Sequence, residues 1–258
     1  MEEGLYLRIL DGLRRAGSVR VFTLMLQNEP LIDQELATRV RQAKELLGRK
    51  AQIMTVTNGS LLTPQRIDEL REAGLDEVYV SIDAVCEETY RTVRPGLDFN
   101  TVVNNVHALL RRSGPMRVTC RFLRQAANAG EEREFARYWR SNHASVGMLS
   151  MSNRAGSLAA FEKLRGEERP TLARRLLRLA GRPRLRCNLP FLRLSVLVDG
   201  RVVLCCHDWR RHVIFGDMSR QSLPEVWNGA LMKHHRRLLW TGRYDESPVC
   251  RDCSYVRP

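Results

Sequence analysis

The stretch AQIMTVTNGSLLTPQRIDELREAGLDEVYVSID, Ala51–Asp83, holds a complete strand–helix–strand unit. AQIMTVT and DEVYVSID are short runs rich in β-branched and aromatic residues, the signature of strands. Between them, TPQRIDELREAG places Thr63 at the N-cap, Pro64 at the first helical position and Gly74 at the exit. Two strands joined through such a helix run parallel, because the crossover must lie on the sheet's outer face.

The same unit recurs on both sides. Upstream, VRVFTLML (Val19–Leu26) reads as a buried strand. The helix DQELATRVRQAKELLGRK follows it, with Asp33 as N-cap and Gly48 as its stop. Downstream come the helix DFNTVVNNVHALLRRSG, the strand MRVTCRFL, the helix EEREFARYWRSN and the strand VGMLSMS. Five strands with helices between them build an α/β parallel sheet, open or closed into a barrel. The chain starts on a helix, Glu3–Arg15, which in such a series follows a strand. An earlier strand is therefore expected upstream of Met1.

Residues 157–184 are Arg-rich and helical in pattern, broken at Pro170 and at Gly181–Pro183, and read as a bridge. From Cys187 the pattern becomes a β-hairpin, with a DG turn at Asp199–Gly200 and a second strand RVVLCC. The helix LPEVWNGALMKHHRRLLW and a terminal CRDC follow. The expected division is 1–156, 157–184 and 185–258.

Hydrophobic residues make up 43% of the 258, enough for a large domain with an appendage. No apolar run approaches the roughly 20 residues of a membrane span, and MEEGLYLRILDGLRR is not a signal peptide. A cytoplasmic location is expected, where thiols stay reduced and clustered cysteines bind metal more often than they pair. The net charge is +13, but Arg is spread along the chain with no compact basic block interleaved with aromatics. The charge is read as solvated helix faces in an arginine-biased sequence; neither a nucleic acid nor a membrane is an expected partner.

Seven cysteines occur. Cys86 and Cys120 stand alone and read as packed thiols. Cys187, Cys205, Cys250 and Cys253 form a pattern: the hairpin folds the first two together, and the CxxC loop lets two thiolates reach one centre from a tight turn. Four thiolates suit structural zinc and an iron–sulfur cluster equally. Cys206, next to Cys205 on a strand, is expected to point to the opposite face and not to ligate.

The motif Cys187-x12-Gly200-x4-Cys205 followed by Cys250-x2-Cys253, with FGDMSRQSLPEVWNG and SPVCRDC around it, resembles the auxiliary-cluster region of radical S-adenosylmethionine (SAM) enzymes with a SPASM or shortened twitch extension. No further cysteine follows Cys253, which is similar to the one-cluster twitch form of dehydrogenases acting on aminocyclitols. The amino-terminal part agrees. LQNEPLID resembles the family's GEP motif, with Asn28 in place of Gly. The resemblance implies that Glu29, helped by backbone around Asn28 and Pro30, binds the methionyl amine of SAM. TVTNGSLLT, with Thr57 and Asn58, resembles the TNG segment. VSIDAVCEETYRTVRPG resembles the strand whose polar residues, here Ser81, Asp83 and Arg94, contact the SAM ribose and carboxylate. SMSNRAG, Ser150–Gly156, resembles the segment near the adenine. All lie at the carboxyl ends of expected strands, where parallel α/β sheets bind ligands.

The resemblance implies a partial (β/α)6 radical SAM barrel lacking its first strand, plus a small cluster-binding domain. It implies SAM, a 4Fe–4S auxiliary cluster on Cys187, Cys205, Cys250 and Cys253, and a reducing partner such as flavodoxin or ferredoxin. It implies C–H abstraction by a 5′-deoxyadenosyl radical, with a peptide or a carbohydrate or aminocyclitol oxidised. The sequence departs from the family in one respect: it has no CxxxCxxC for the catalytic 4Fe–4S cluster, and no cysteine precedes Cys86. The retained SAM motifs favour a longer protein whose upstream segment carries those thiolates. The competing expectation is a degenerate, non-catalytic homologue that keeps only the C-terminal iron–sulfur or zinc site. His207, Asp208 and Trp209 follow the second ligand and read either as site residues or as a solvated turn.

Overall fold

The computed structural model describes residues 1–166 and 187–256, so most of the expected bridge lies outside the described residues. The chain divides into two compact units. One comprises Leu13–Met151 with Leu164–Gly166; the other comprises Met1–Gly12, Ser152–Lys163 and the residues after 166.

The first unit is built on five strands: β1 (Val21–Thr23), β2 (Gln52–Thr57), β3 (Glu77–Ser81), β4 (Arg117–Arg124) and β5 (Ser145–Ser150). All neighbours are parallel, and their spatial order equals their sequence order. A doubly wound sheet reverses its order at a switch point; a barrel wall does not. The sheet is therefore the wall of a partial barrel, and β1 pairs with β2 alone among the described strands. The helices of this unit are α2 (Leu36–Leu47), α3 (Pro64–Glu72), α4 (Glu87–Val93), α5 (Phe99–Arg112) and α6 (Glu132–Ser141). Their apolar faces supply Val40, Ile67, Val106, Phe135 and Trp139, which are buried together with Ile53, Val78, Val80 and Phe122 of the strands.

Thr63 caps α3 as expected, accepting from Arg66 N–H. Other expectations are corrected. VRVFTLML forms only the three residues of β1. Asp33 does not cap α2: it closes a 3-10 turn at Pro30–Ile32, and Glu35 precedes the helix. Pro30 fixes that turn early and uses the residues meant for the first helical turn. The short helix α4 was not foreseen, because EETYRTV is too short for a clear period.

The second unit carries the start of α1 (Glu3–Ala16), α7 (Phe161–Arg165, to Lys163), α8 (Leu189–Leu192), α9 (Leu223–Trp227) and α10 (Ala230–Trp240). An antiparallel sheet joins β6 (Ser195–Val196), β7 (Arg201–Val203) and β8 (Gly216–Asp217). The hairpin is thus a three-stranded meander. Gly200 turns it with φ 90; a Cβ there would come within 3.3 Å of the Leu5 side chain, Asp217 and Ser219 N, so only glycine fits. The single expected helix from Leu223 breaks at Asn228–Gly229. Arg236 ties the pieces together. It donates to the Pro190 and Trp227 carbonyls, 2.8 and 2.6 Å away, and lies 4.0 Å over the Trp227 ring.

Candidate functional site

In the barrel unit the carboxyl ends of β2 and β3 assemble two polar knots. In the first, the Glu29 carboxylate accepts from Thr57 Oγ1 at 2.6 Å, Asn58 N–H at 2.8 Å and Leu31 N–H at 3.2 Å. A carboxylate offers about four acceptor positions, so the protein occupies three. The TNG turn is itself braced. Asn58 Oδ1 accepts from both Ser60 N–H and Ser60 Oγ, at 2.9 and 2.7 Å. Asn105 donates to the Gly59 and Ser60 carbonyls. Gly59 has φ 82, and a Cβ there would lie 2.9 Å from Val80 Cγ1. Asn28 is exposed beside this knot, and Pro30 is buried at the head of its turn.

The second knot centres on Asp83, fully buried with φ 67. Its Oδ1 accepts from Leu123 N–H at 2.6 Å, and its Oδ2 from Arg94 Nε and Nη2 at 2.9 and 2.5 Å. Burial pushes the Asp83 carboxyl pKa up, while the Arg94 guanidinium and the Leu123 amide oppose the shift. The Asp83 carbonyl accepts from Asn128 Nδ2, which also reaches the Leu123 carbonyl; Asn128 Oδ1 accepts from Gln125 N–H. The structure thus joins Glu29 to Thr57 and Asn58, and Asp83 to Arg94. Ser81 ends β3 half-buried. Asn105 and Asn128 were missed, because a polar residue within a helix or a turn carries no motif of its own.

In the second unit the thiols gather. Cys250 and Cys253 are buried; Cys187, Cys205 and Cys206 are half-buried; none forms a disulfide. The CRDC loop is a tight turn, with Cys253 N–H on the Cys250 carbonyl at 3.1 Å and Cys250 N–H on Ser247 Oγ at 3.3 Å. Burial raises every one of these thiols, Cys250 to about 11. Their charges also act on one another: Cys187 feels Cys253, Cys205 feels Cys250 and Cys253, and Cys250 feels Cys253 and Cys187. Backbone amides hydrogen-bond to the sulfurs, from Leu189 to Cys187, from His207 to Cys205, and from Ala155, Tyr255 and Val256 to Cys253.

Cys206 departs from the expected geometry. The strand β7 ends at Val203, so Cys205 and Cys206 lie in a turn where strand alternation does not apply. The Cys206 thiol also feels Cys253 and Arg193. His207 is half-buried and held by neighbours: its Nδ1 is 2.8 Å from Ser152 Oγ, and its ring lies 4.6 Å from that of Tyr255. Asp208 is fully buried.

The donor set fits an iron–sulfur group: soft thiols influence one another electrostatically within one unit, and amide hydrogens reach the sulfurs of Cys187, Cys205 and Cys253. No three His, Cys, Asp or Glu side chains among the described residues converge as a single metal ion requires. A tetrahedral zinc with Zn–S of about 2.3 Å would hold its sulfurs roughly 3.8 Å apart.

A singly wound parallel sheet with polar knots at its strand ends, and a separate thiol cage, define a cofactor-dependent α/β enzyme. Residues 4–121 match the radical SAM superfamily, and residues 187–254 match the iron–sulfur cluster-binding SPASM domain. The chain thus carries a radical SAM superfamily domain and a SPASM iron–sulfur cluster-binding domain, and it is an enzyme of the radical SAM oxidoreductase type. It is 22% identical, over 99% of its length and 81% of the relative's, to the S-adenosyl-L-methionine-dependent 2-deoxy-scyllo-inosamine dehydrogenase of Niallia circulans. Among solved structures it is similar to BtrN in complex with AdoMet and 2-DOIA (TM-score 0.62, 20% identity, 98% of this chain and 80% of that one). It is also similar to anSMEcpe with bound AdoMet (0.67, 14%, 98% and 80%). A third match is Streptococcus suis SuiB bound to the precursor peptide SuiA (0.75, 12%, 99% and 69%). At these identities the structural likenesses establish the fold. No helix among the described residues is long and apolar enough to cross a membrane.

Proposed function

We propose that this protein is a radical SAM dehydrogenase-type enzyme that begins with C–H abstraction and uses the thiol cage as an auxiliary 4Fe–4S site. The observation that carries this reading is the grouping of four buried or half-buried free thiols, Cys187, Cys205, Cys250 and Cys253, in one compact unit, where they interact electrostatically and amide hydrogens reach three of the four sulfurs. Each thiol, held protonated by burial, releases its proton as iron binds.

In the barrel, Glu29 keeps about one acceptor position for the methionyl amine of SAM, and Thr57 and Asn58 hold that carboxylate still. Backbone around Asn28 and Pro30 assists. Asp83, buried and spent on its neighbours, orients Arg94, which with Ser81 meets the ribose and carboxylate. A catalytic 4Fe–4S cluster, for which this chain has no CxxxCxxC, would supply the electron for cleaving SAM. Cys187, Cys205, Cys250 and Cys253 would hold the auxiliary cluster, which would supply an acceptor for the second substrate electron and make the net change a two-electron oxidation. The substrate is a polyhydroxylated carbohydrate or aminocyclitol, supported by the match to an inosamine dehydrogenase along 99% of the chain, with a peptide as the competing class. We place the protein in the cytoplasm, with a flavodoxin or ferredoxin as electron donor.

The second reading, a non-catalytic homologue, rests on the missing CxxxCxxC. The in-frame DNA upstream of Met1 is read first, and the longest open frame is expressed. Anaerobically reconstituted and reduced, that protein is expected to turn SAM into 5′-deoxyadenosine. Binding of iron without that product, or a frame with no upstream CxxxCxxC, would establish the second reading.

A further inference from the structure

Cys253 is held by a side chain outside the cysteine motif. Asn153 lies three residues after β5 ends. Its Nδ2–H donates to the Asp252 carbonyl at 2.6 Å, and its Oδ1 accepts from Ser254 N–H at 2.9 Å. Its own N–H donates to Ser254 Oγ at 3.0 Å. One residue thus pins both chain neighbours of Cys253.

The backbone that follows is strained. Arg154 and Ala155 have φ 52 and 54, both left-handed, and Gly156 has φ 79. Non-glycine residues are strained in this region and persist there where surrounding contacts enforce them. Those contacts are present. Arg154 N–H donates to Ser152 Oγ at 3.1 Å, and its guanidinium lies 3.8 Å over the Trp209 ring. A Cβ at Gly156 would lie 2.8 Å from Asp252 Cβ, so the chain passes that close to the CRDC loop. The outcome of the strain is an Ala155 amide that hydrogen-bonds to the Cys253 sulfur. An amide hydrogen on a ligand sulfur offsets negative charge, favours the reduced cluster and so raises its potential.

We propose that Asn153 is a positioning residue of the auxiliary cluster: by bracketing Cys253 it aims the Ala155 N–H at the ligand sulfur, which raises the cluster's reduction potential and retains its iron. The inference rests on the reading of Cys253 as a cluster ligand. The full chain and its Asn153→Ala variant are reconstituted anaerobically and compared by redox-poised electron paramagnetic resonance and by iron release to a chelator. Asn153→Ala is expected to shift the midpoint to more negative potential and to release iron about tenfold faster, the usual effect of losing an outer-shell partner. An unchanged midpoint and release rate in the variant would overturn the proposal, even where its melting temperature falls. Should Asn153→Ala not fold, Ser254→Ala, which removes only the hydroxyl acceptor, is decided by the same measurement: a smaller negative shift supports the proposal and no shift overturns it. A parent chain that binds zinc and no iron sinks the iron–sulfur reading instead, and that result is seen before any variant is compared.

Discussion

At the scale of single residues, Glu77 shows how bonding overrides burial. It is 8% exposed. Burial pushes its pKa up, but Arg117, Tyr79 and Thr119 bind the ionised form and hold the carboxyl below its ordinary 4.5. A depressed folded pKa means the carboxylate adds stability above pH 4.5 and loses it as pH falls through the folded value. Glu77→Gln is therefore expected to cost about 1–2 kcal/mol at neutral pH, and the difference from the parent should vanish in acid. Urea midpoints at pH 7 and pH 3 measure it; equal differences at both would refute the assignment. The cysteines give a second contrast. Cys205→Ala should abolish iron retention in the second unit, since three thiolates leave one iron labile. Cys206→Ala should keep the iron stoichiometry of the parent. If Cys206→Ala loses iron and Cys205→Ala does not, the ligand is Cys206.

At the scale of elements, local chemistry sets some boundaries and neighbours set others. The α3 cap is local: Thr63 Oγ1 accepts from Arg66 N–H, and Thr63→Ala should cost about 1 kcal/mol in denaturant melts. Asn128 works through the turn after β4, and its removal takes a partner from the buried Asp83 carbonyl and from the half-buried Leu123 carbonyl and Gln125 amide. Asn128→Ala should cost about 2–3 kcal/mol and loosen the Asp83–Arg94 pair, so SAM affinity should fall with stability. A variant that melts as the parent does would show the network to be dispensable. The strands and helices with regular periods, from β2 through β5, were legible in sequence. The 3-10 turn at Pro30–Ile32, α4 and the break at Asn228–Gly229 were not, because each is decided within a few residues, by a proline, a short span or a glycine.

At the scale of the whole molecule, two compact units divide the chemistry. The knots of Glu29 and Asp83 lie in one, the thiol cage in the other. Iron removal should therefore act unequally. Chelation of the reconstituted chain is expected to lower the melting of the thiol-bearing unit, because binding energy at the cage is folding energy there. The barrel unit's transition should stay in place. Scanning calorimetry of loaded and chelated protein tests this; a single transition that moves as one would show that the units melt together.

The sequence by itself determined the class of fold, since periodicity and caps are properties of adjacent residues. It also determined the candidate ligands, since Cys187, Cys205, Cys250 and Cys253 are read from spacing and the NEP and TNG stretches from their resemblance to family motifs. Tertiary structure alone decided what those groups are bonded to. That Glu29 spends three acceptor positions on Thr57, Asn58 and Leu31, that Asp83 is buried behind Arg94, and that Asn153 brackets Cys253 across 100 residues of chain all depend on which distant segments meet. Hydrogen bonds between segments far apart in sequence leave no period and no fixed spacing, so they become visible only once the chain has closed on itself.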